Sequence, residues 1–325
     1  MKDLSLIIPG RNEEFMARTV QDALENIETD TEIIPVMDGY WTDPVIPQNP
    51  RVNVVHMGEA VGQRAAANRG VAIAQGKYVM KVDAHCSFDK GFDRKMIEGF
   101  EKIGDHAVMV PIMRNLWAFD WKCKKCGHTI YQSPTPGTPN SKENECSKCG
   151  AMNWERDMKW IGKKRPQSVS YCFDSTPHFQ YFNEHKKTEK YKKEAETGFT
   201  ETMSLQGSAF MSTKKIYNYL NLCDESLGNW GNQGIEVACK AWLSGRPVLV
   251  NHNTWYAHMF RTQGGDFGFP WKISGRDAQK TKDRVWEQII GNKLPHQKKP
   301  LKWLLKRFWP VKGWTEEQLN ALPDL

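Results

Sequence analysis

The chain has 325 residues, 39% hydrophobic and 26% charged, with a net charge of +7. That size and balance fit two domains, or one large domain with an insertion, and exclude a disordered, collagen-like or coiled-coil chain. No apolar run approaches the roughly 20 residues that span a bilayer, and no signal-peptide pattern precedes the first apolar segment, so a cytoplasmic location is expected. The charge is uneven. Residues 1–110 carry 12 Lys and Arg against 17 Asp and Glu, whereas residues 111–325 carry 33 against 21. The second part therefore either meets an anionic partner or presents a solvated basic surface.

Strand and helix signals alternate over the first 110 residues. Short apolar runs at 4–9, 32–37, 52–57, 78–82 and 107–112 read as strands. Helical spacing of apolar residues at 13–26 and 92–103, and the Ala-rich stretch 62–74, read as helices. This β-α-β order predicts a parallel sheet covered on both faces, with ligands at the carboxyl ends of its strands. There is no GxGxxG, so a dinucleotide site is unsupported. Residues 117–160 change character to Lys, Cys, Gly, Pro, Ser and Asn, as in a small inserted module. Residues 155–200 are rich in Lys and Glu, and no structure is assigned to them beyond a lid over the site. Further on, 233–243 and two segments at 277–290 and 301–308 read as helices, and 247–251 as a strand.

Cys123-Lys-Lys-Cys126-Gly127 and Cys146-Ser-Lys-Cys149-Gly150 are separated by nineteen residues, the spacing of a zinc ribbon. Four thiolates make a closed tetrahedral Zn²⁺ site with no open position, hence a structural one, and the glycine after each pair suits a turn needing positive φ. The insert has too little apolar content to hold itself together without metal. Cys86, Cys172, Cys223 and Cys239 lack such spacing and read as free, mostly buried thiols.

Asp83-Ala84-His85 sits just past the strand at 78–82. In extended chain the i and i+2 side chains share one side, so a carboxylate and an imidazole there can share a divalent ion whose shell a diphosphate completes. Ile8-Pro9-Gly10-Arg11-Asn12-Glu13 and Met37-Asp38-Gly39-Tyr40 stand at two other strand ends, and Asn68-Arg69-Gly70 lies in the helix before the triplet. Together these segments resemble family 2 glycosyltransferases of the GT-A fold. The triplet followed by Cys86, the segment 203–210, the run Trp230-Gly231-Asn232-Gln233-Gly234-Ile235-Glu236 and the His258-Met259-Phe260-Arg261 segment are similar to polypeptide N-acetylgalactosaminyltransferases.

The resemblance implies an α/β GT-A (Rossmann-like nucleotide-sugar-binding) fold. Its parts would be a nucleotide-sugar half at 1–113, a zinc-ribbon insertion at 114–165, an acceptor-side half at 166–265 and a basic, aromatic helical extension at 266–325. It also implies a UDP-sugar donor and Mn²⁺ or Mg²⁺ on Asp83, His85 and His258. Pro9, Arg11 and Glu13 would line the nucleotide pocket, Asp38 would lie near the uracil or ribose, and Asn68 would approach the same pocket. Gly207 would belong to the sugar pocket. Arg261 would pair with a phosphate, or serve only as a surface salt bridge. Gln233 and Gly234 depart from the pattern, because the carboxylate that serves inverting relatives as base is missing. Retention through front-side displacement fits better. Glu236 is then a candidate for ordering acceptor or donor, or a helix cap, and Asp224 and Glu225 could supply a base if the chain folds back.

The acceptor is read from the second half. Lys298, Lys299, Lys302, Lys306, Arg307 and Lys312 interleave with Trp303, Phe308 and Trp309 and no acidic residue. This composition suits phosphate contacts with base stacking, an amphipathic helix on an anionic membrane surface, or a terminal helix packed on its own core. The favoured acceptor is a hydroxymethylated pyrimidine in DNA. The alternatives are a surface polysaccharide, lipid-linked glycan or protein, and, in a different class, a non-catalytic nucleic-acid-binding protein on the same fold.

Overall fold

The computed structural model describes residues 2–138, 141–261 and 275–325. It opens with β1 (Lys2–Gly10), α1 (Met16–Asn26), β2 (Thr31–Asp38), β3 (Val55–Met57), α2 (Gln63–Ile73), β4 (Gly76–Val82), the short β5 (Cys86–Phe88) and α3 (Phe92–Ile103). Next come β6 (Val108–Cys123), β7 (Thr129–Tyr131), β8 (Trp154–Ser168), β9 (Tyr171–Phe173), β10 (Phe179–Tyr181), α4 (Glu189–Glu196), β11 (Phe199–Glu201), β12 (Ala209–Thr213) and α5 (Lys214–Leu220). The chain ends with α6 (Gln233–Leu243), β13 (Val248–His258), α7 (Gly275–Ile290), α8 (Leu301–Phe308) and α9 (Glu316–Ala321). Among the described residues, no helix is long and apolar enough to cross a membrane.

The sheet order is β11-β13-β6-β12-β4-β1-β2-β3. β3, β2, β1 and β4 run parallel as expected. All eight residues of β2 and the middle of β1 are buried, so both faces of the sheet are covered. The rest corrects the all-parallel expectation. β12 enters antiparallel between β4 and β6.

β6 is far longer than the strand expected at 107–112. It extends past β13 and pairs with β8 from Met113 to Cys123 and with β7 at Asp120–Lys122, making a three-stranded arm that carries the cysteines at its tip. The expected boundaries at 113/114 and 165/166 therefore fall inside β6 and β8, and of the extension expected at 266–325, residues 266–274 lie outside the described residues. Residues 155–200 are the return strand of this arm, the β9–β10 hairpin and α4. The base of the arm is clamped by a second apolar cluster of Phe15, Phe119, Trp160 and Met259. Arg156 crosses the rings of Phe119 and Trp121 and pairs with Glu14.

The C-terminal helices correct the membrane and base-stacking readings. Leu301, Leu304, Leu305 and Phe308 of α8 are buried in the main core, and Phe308 meets Trp242 of α6 edge-on at 5.6 Å. Trp303 is covered by Lys299 and Arg307 through cation–π contacts. The apolar face is thus spent on the protein's own core, and only the basic face reaches solvent.

His185 seals this packing between Phe182, Tyr191 and Phe308. Burial, helped by the Lys190 charge, pushes its imidazole down to about 4. The unfolded chain therefore binds this proton first as pH falls, so stability drops from about pH 6.5 downward and the loss is complete near pH 4. One group shifted this far contributes at most about 3 kcal/mol. His185→Phe is expected to flatten the acid limb of the melting-temperature profile over that window, as read by circular dichroism.

Candidate active site

The carboxyl ends of β1, β2 and β4 open into a cavity of about 880 Å³, the location an open α/β sheet reserves for ligands. β4 delivers Asp83, whose backbone N–H is tied to Ser208 O at 2.9 Å. β5 pairs antiparallel with β13 in the register His258↔Cys86, and the Met259 N–H donates to His85 O at 3.1 Å. Strand register thus brings together two histidines that lie 173 residues apart.

Asp83, His85 and His258 each offer a ligand atom within 4.8 Å of the others. His258 Nε2 lies 3.2 Å from Asp83 Oδ2 and 3.1 Å from His85 Nε2. Burial pushes His258 down to about 4, so it is neutral at pH 7, the form that ligates metal. Burial alone would raise Asp83, but the Lys81 charge and the His258 hydrogen bond outweigh it and hold the carboxyl well below the ordinary range. Asp83 Oδ1 is already taken by Lys81 Nζ at 2.5 Å and Gln63 Nε2 at 3.2 Å, which leaves Oδ2 facing both imidazoles. One carboxylate oxygen and two imidazole nitrogens suit Mn²⁺ or a similar divalent ion. Behind them, Glu13 Oε2 stands 3.4 Å from His85 Nδ1, and Glu13 also holds Arg261. A carboxylate on the far ring nitrogen is how ligating histidines are commonly oriented.

The other expected residues divide. Pro9, Arg11, Asp38, Gly207 and Gln233 line the cavity, as do Glu13 and Arg261. Asp38 is also a clamp, accepting the Val61 and Gly62 amides at 2.5 and 3.0 Å. Gln233 donates to Cys223 Sγ. A Cβ at Gly234 would collide with the Leu205 carbonyl, so no carboxylate fits at that position.

Asn68 does not line the cavity. Its amide binds Cys223 O and Glu225 and accepts from Tyr217, which turns it toward the loop before α6. Glu236 is fully buried behind the wall, held by Arg64 at 2.7 Å and Lys240 at 2.6 Å. Arg64 in turn holds the carbonyls of Gly228 and Gly231, so this pair fixes the wall and touches no ligand. Asp224 caps Ser226, and Glu225 pairs with Arg69. Neither lines the cavity, so the base expected from a chain reversal is not supplied there.

No motif points to His178, which reaches the rim from the β9–β10 hairpin and meets Lys282 of α7 at 2.9 Å. Lys280, Lys282 and Arg284 also line this side, and their clustering is the one signal that could have flagged it.

At the tip of the arm, the four Sγ atoms of Cys123, Cys126, Cys146 and Cys149 lie within 4.8 Å of one another. The Cys123–Cys149 and Cys126–Cys146 separations are 3.7 and 3.5 Å, against about 3.8 Å for the edge of a Zn–thiolate tetrahedron. Gly127 and Gly150 take φ of 74° and 67°, each closing a turn onto the first cysteine's carbonyl. The Cys126 amide draws the Cys123 thiol down to about 7, favouring the thiolate. The site fits structural zinc. Cys146→Ser is expected to cut zinc content below about 0.2 per chain and to open residues 124–150 to protease, while the sheet stays protected. Metal analysis and limited proteolysis read both.

Residues 5–154 match the family described as Glycosyl transferase family 2. The chain is 20% identical over 225 residues to probable N-acetylgalactosaminyltransferase 6 of Caenorhabditis elegans. It is 23% identical over 288 residues to putative polypeptide N-acetylgalactosaminyltransferase 13 of Drosophila melanogaster. These matches cover 69% and 82% of the chain but only 30% and 43% of the relatives, so the chain spans less than half their length. A crystal structure of GalNAc-T7 with UDP, GalNAc and Mn²⁺ superposes with a TM-score of 0.61 at 16% identity, covering 94% of this chain and 57% of that one. The match to the family 2 glycosyltransferase model spans residues 5–154, the fold is GT-A-like, and a four-cysteine element is inserted in it.

Proposed function

We propose that this chain transfers a sugar from a UDP-sugar to a hydroxyl group, with a divalent ion on Asp83, His85 and His258. The observation that carries this is the convergence of those three ligand atoms at the strand ends of a GT-A sheet, inside a cavity large enough for a nucleotide-sugar. When bound there, the ion supplies charge neutralisation for the departing diphosphate. The residues of the chain do the rest. Asp38 and the Val61–Gly62 amides shape the nucleotide wall, Glu13 orients His85, and Arg261 stands where it can meet a phosphate.

Retention is the stereochemical outcome proposed. Of the carboxylates lining the cavity among the described residues, Glu13, Asp38 and Asp83 are each held by cations or amides. Asp277 lies exposed on the rim at the first turn of α7. In front-side displacement the C1–O bond to the diphosphate breaks as C1 bonds to the acceptor oxygen. The hydroxyl proton passes to the leaving phosphate oxygen, and no protein base is required.

For the acceptor we propose a hydroxymethylated pyrimidine in DNA. Support comes from the basic balance of residues 111–325 and from Lys280, Lys282 and Arg284 at the cavity rim, where phosphates beside an extruded base would lie. The second reading is a protein hydroxyl, favoured by the names of the curated relatives. The experiment is UDP release from a panel of UDP-sugars with Mn²⁺, using hydroxymethylated DNA, unmodified DNA, a Ser/Thr-rich peptide or no acceptor. Release that needs hydroxymethylated DNA supports the first reading, and release stimulated only by the peptide replaces it with the second. No release with any donor overturns the enzyme reading.

A further inference from the structure

Lys81 is a buried cation directly beneath the proposed metal ligands. Its side chain is 1% exposed, and it does not line the cavity. Its ammonium donates to Asp83 Oδ1 at 2.5 Å and to the carbonyl of Gly207, on the sugar-pocket segment, at 2.8 Å. It sits in the middle of the sheet, paired with Ile7 of β1 and Phe210 of β12, so its charge cannot swing out to water. A cation buried in a sheet is costly unless paired, and here its carboxylate partner is itself a proposed ligand.

The local charge then balances before any ion arrives. Asp83 contributes −1 and Lys81 +1. Glu13 is in turn matched by Arg261. A divalent ion entering this cluster would meet no net negative charge from these groups, and would feel the repulsion of the Lys81 ammonium in a poorly screened place.

We propose that Lys81 is a positioning residue that makes metal binding conditional on the diphosphate. It fixes Asp83 as a one-oxygen ligand through Oδ2 and cancels its charge, so that the anionic nucleotide must supply the missing negative charge. This rests on the reading that Asp83, His85 and His258 hold the divalent ion. A further consequence is contact with both sides of the site, because the same ammonium ties the ligand strand to Gly207.

The test is Mn²⁺ binding, read by the electron paramagnetic resonance signal of free Mn²⁺. Titrations are run alone, with saturating UDP, and with uridine, which lacks the diphosphate. For the wild-type chain, UDP is expected to tighten Mn²⁺ at least ~100-fold and uridine less than ~3-fold, with Mn²⁺ alone no tighter than about 100 μM. Lys81→Met removes the charge, and Lys81→Gln keeps a donor without it. Both are expected to tighten Mn²⁺ alone by at least ~10-fold and to shrink the UDP enhancement, and by reciprocity Mn²⁺ then enhances UDP binding by the same reduced factor. A merely structural hydrogen bond predicts instead that Lys81→Gln behaves as wild type.

Folded variants with unchanged or weaker Mn²⁺ binding overturn the role of Lys81. If neither variant folds, the wild-type chain decides: Mn²⁺ binding tighter than about 100 μM without nucleotide contradicts the balanced-charge site, and weaker binding upholds it. No Mn²⁺ binding even with UDP sinks the underlying metal reading, an outcome distinct from a failure of Lys81.

Discussion

Asp83→Asn is expected to lower UDP-sugar turnover by at least ~10³-fold, because it removes the anionic ligand among the three and with it the charge stabilisation of the leaving diphosphate. Asparagine is the informative replacement. It keeps an oxygen near Lys81 and Gln63, whereas alanine leaves the Lys81 ammonium buried with only the Gly207 carbonyl. Breaking a buried pair outright costs about 3–5 kcal/mol, so Asp83→Ala would confuse loss of chemistry with loss of fold. Because the folded carboxyl is held below its ordinary range, Asp83 stabilises the protein above about pH 4. That contribution is lost only as pH falls through the folded value. Turnover of the wild type between pH 6 and 8 therefore does not depend on Asp83 titration. A turnover assay beside a melting curve checks the variant. Asp83→Asn with wild-type turnover would remove Asp83 from the site.

The second large effect is on stability. Glu236→Leu is expected to lower the melting temperature by on the order of 10 °C, since it strands Arg64 and Lys240, both fully buried, without their shared carboxylate. Arg64 also holds Gly228 and Gly231, whose loop carries Asn229 and Trp230 into the cavity wall. The KM for the donor should therefore rise as well, and Glu236→Gln should show the same pattern more weakly. If Glu236 instead acted on substrate, Glu236→Gln would lower kcat by more than ~100-fold with an unchanged melting temperature. The two outcomes separate wall from chemistry.

The parts of this structure that could be read from sequence are those written in local pattern. The alternation of apolar runs and helical spacing located the β1–α3 framework. α6 and α8 begin and end at the residues the spacing predicted, 233–243 and 301–308. The four cysteines with their glycines announced their own geometry. What could not be read depended on partners distant in sequence. β8 carries charged residues at seven of its fifteen positions and turns through Trp160 at positive φ, so no two-residue apolar alternation marks it as a strand. The apolar stripe of α8 is equally consistent with a membrane or with Trp242, and only the fold supplies the latter. Asn68 and Glu236 were placed by motif resemblance. A motif fixes position along the chain, but the side-chain direction was set by Glu225 and Tyr217 in one case and by Arg64 in the other. His178 and α7 reach the cavity from separate segments with no motif at all.

The most direct measurement is an anomalous diffraction map of crystals grown with UDP and Mn²⁺. The account predicts a manganese peak bonded by Asp83 Oδ2, His85 Nε2 and His258 Nε2 and shared with the diphosphate, and a separate zinc peak inside the four cysteine sulfurs. UDP bound in the cavity with no manganese on those three atoms, or with manganese held by other residues, would contradict it.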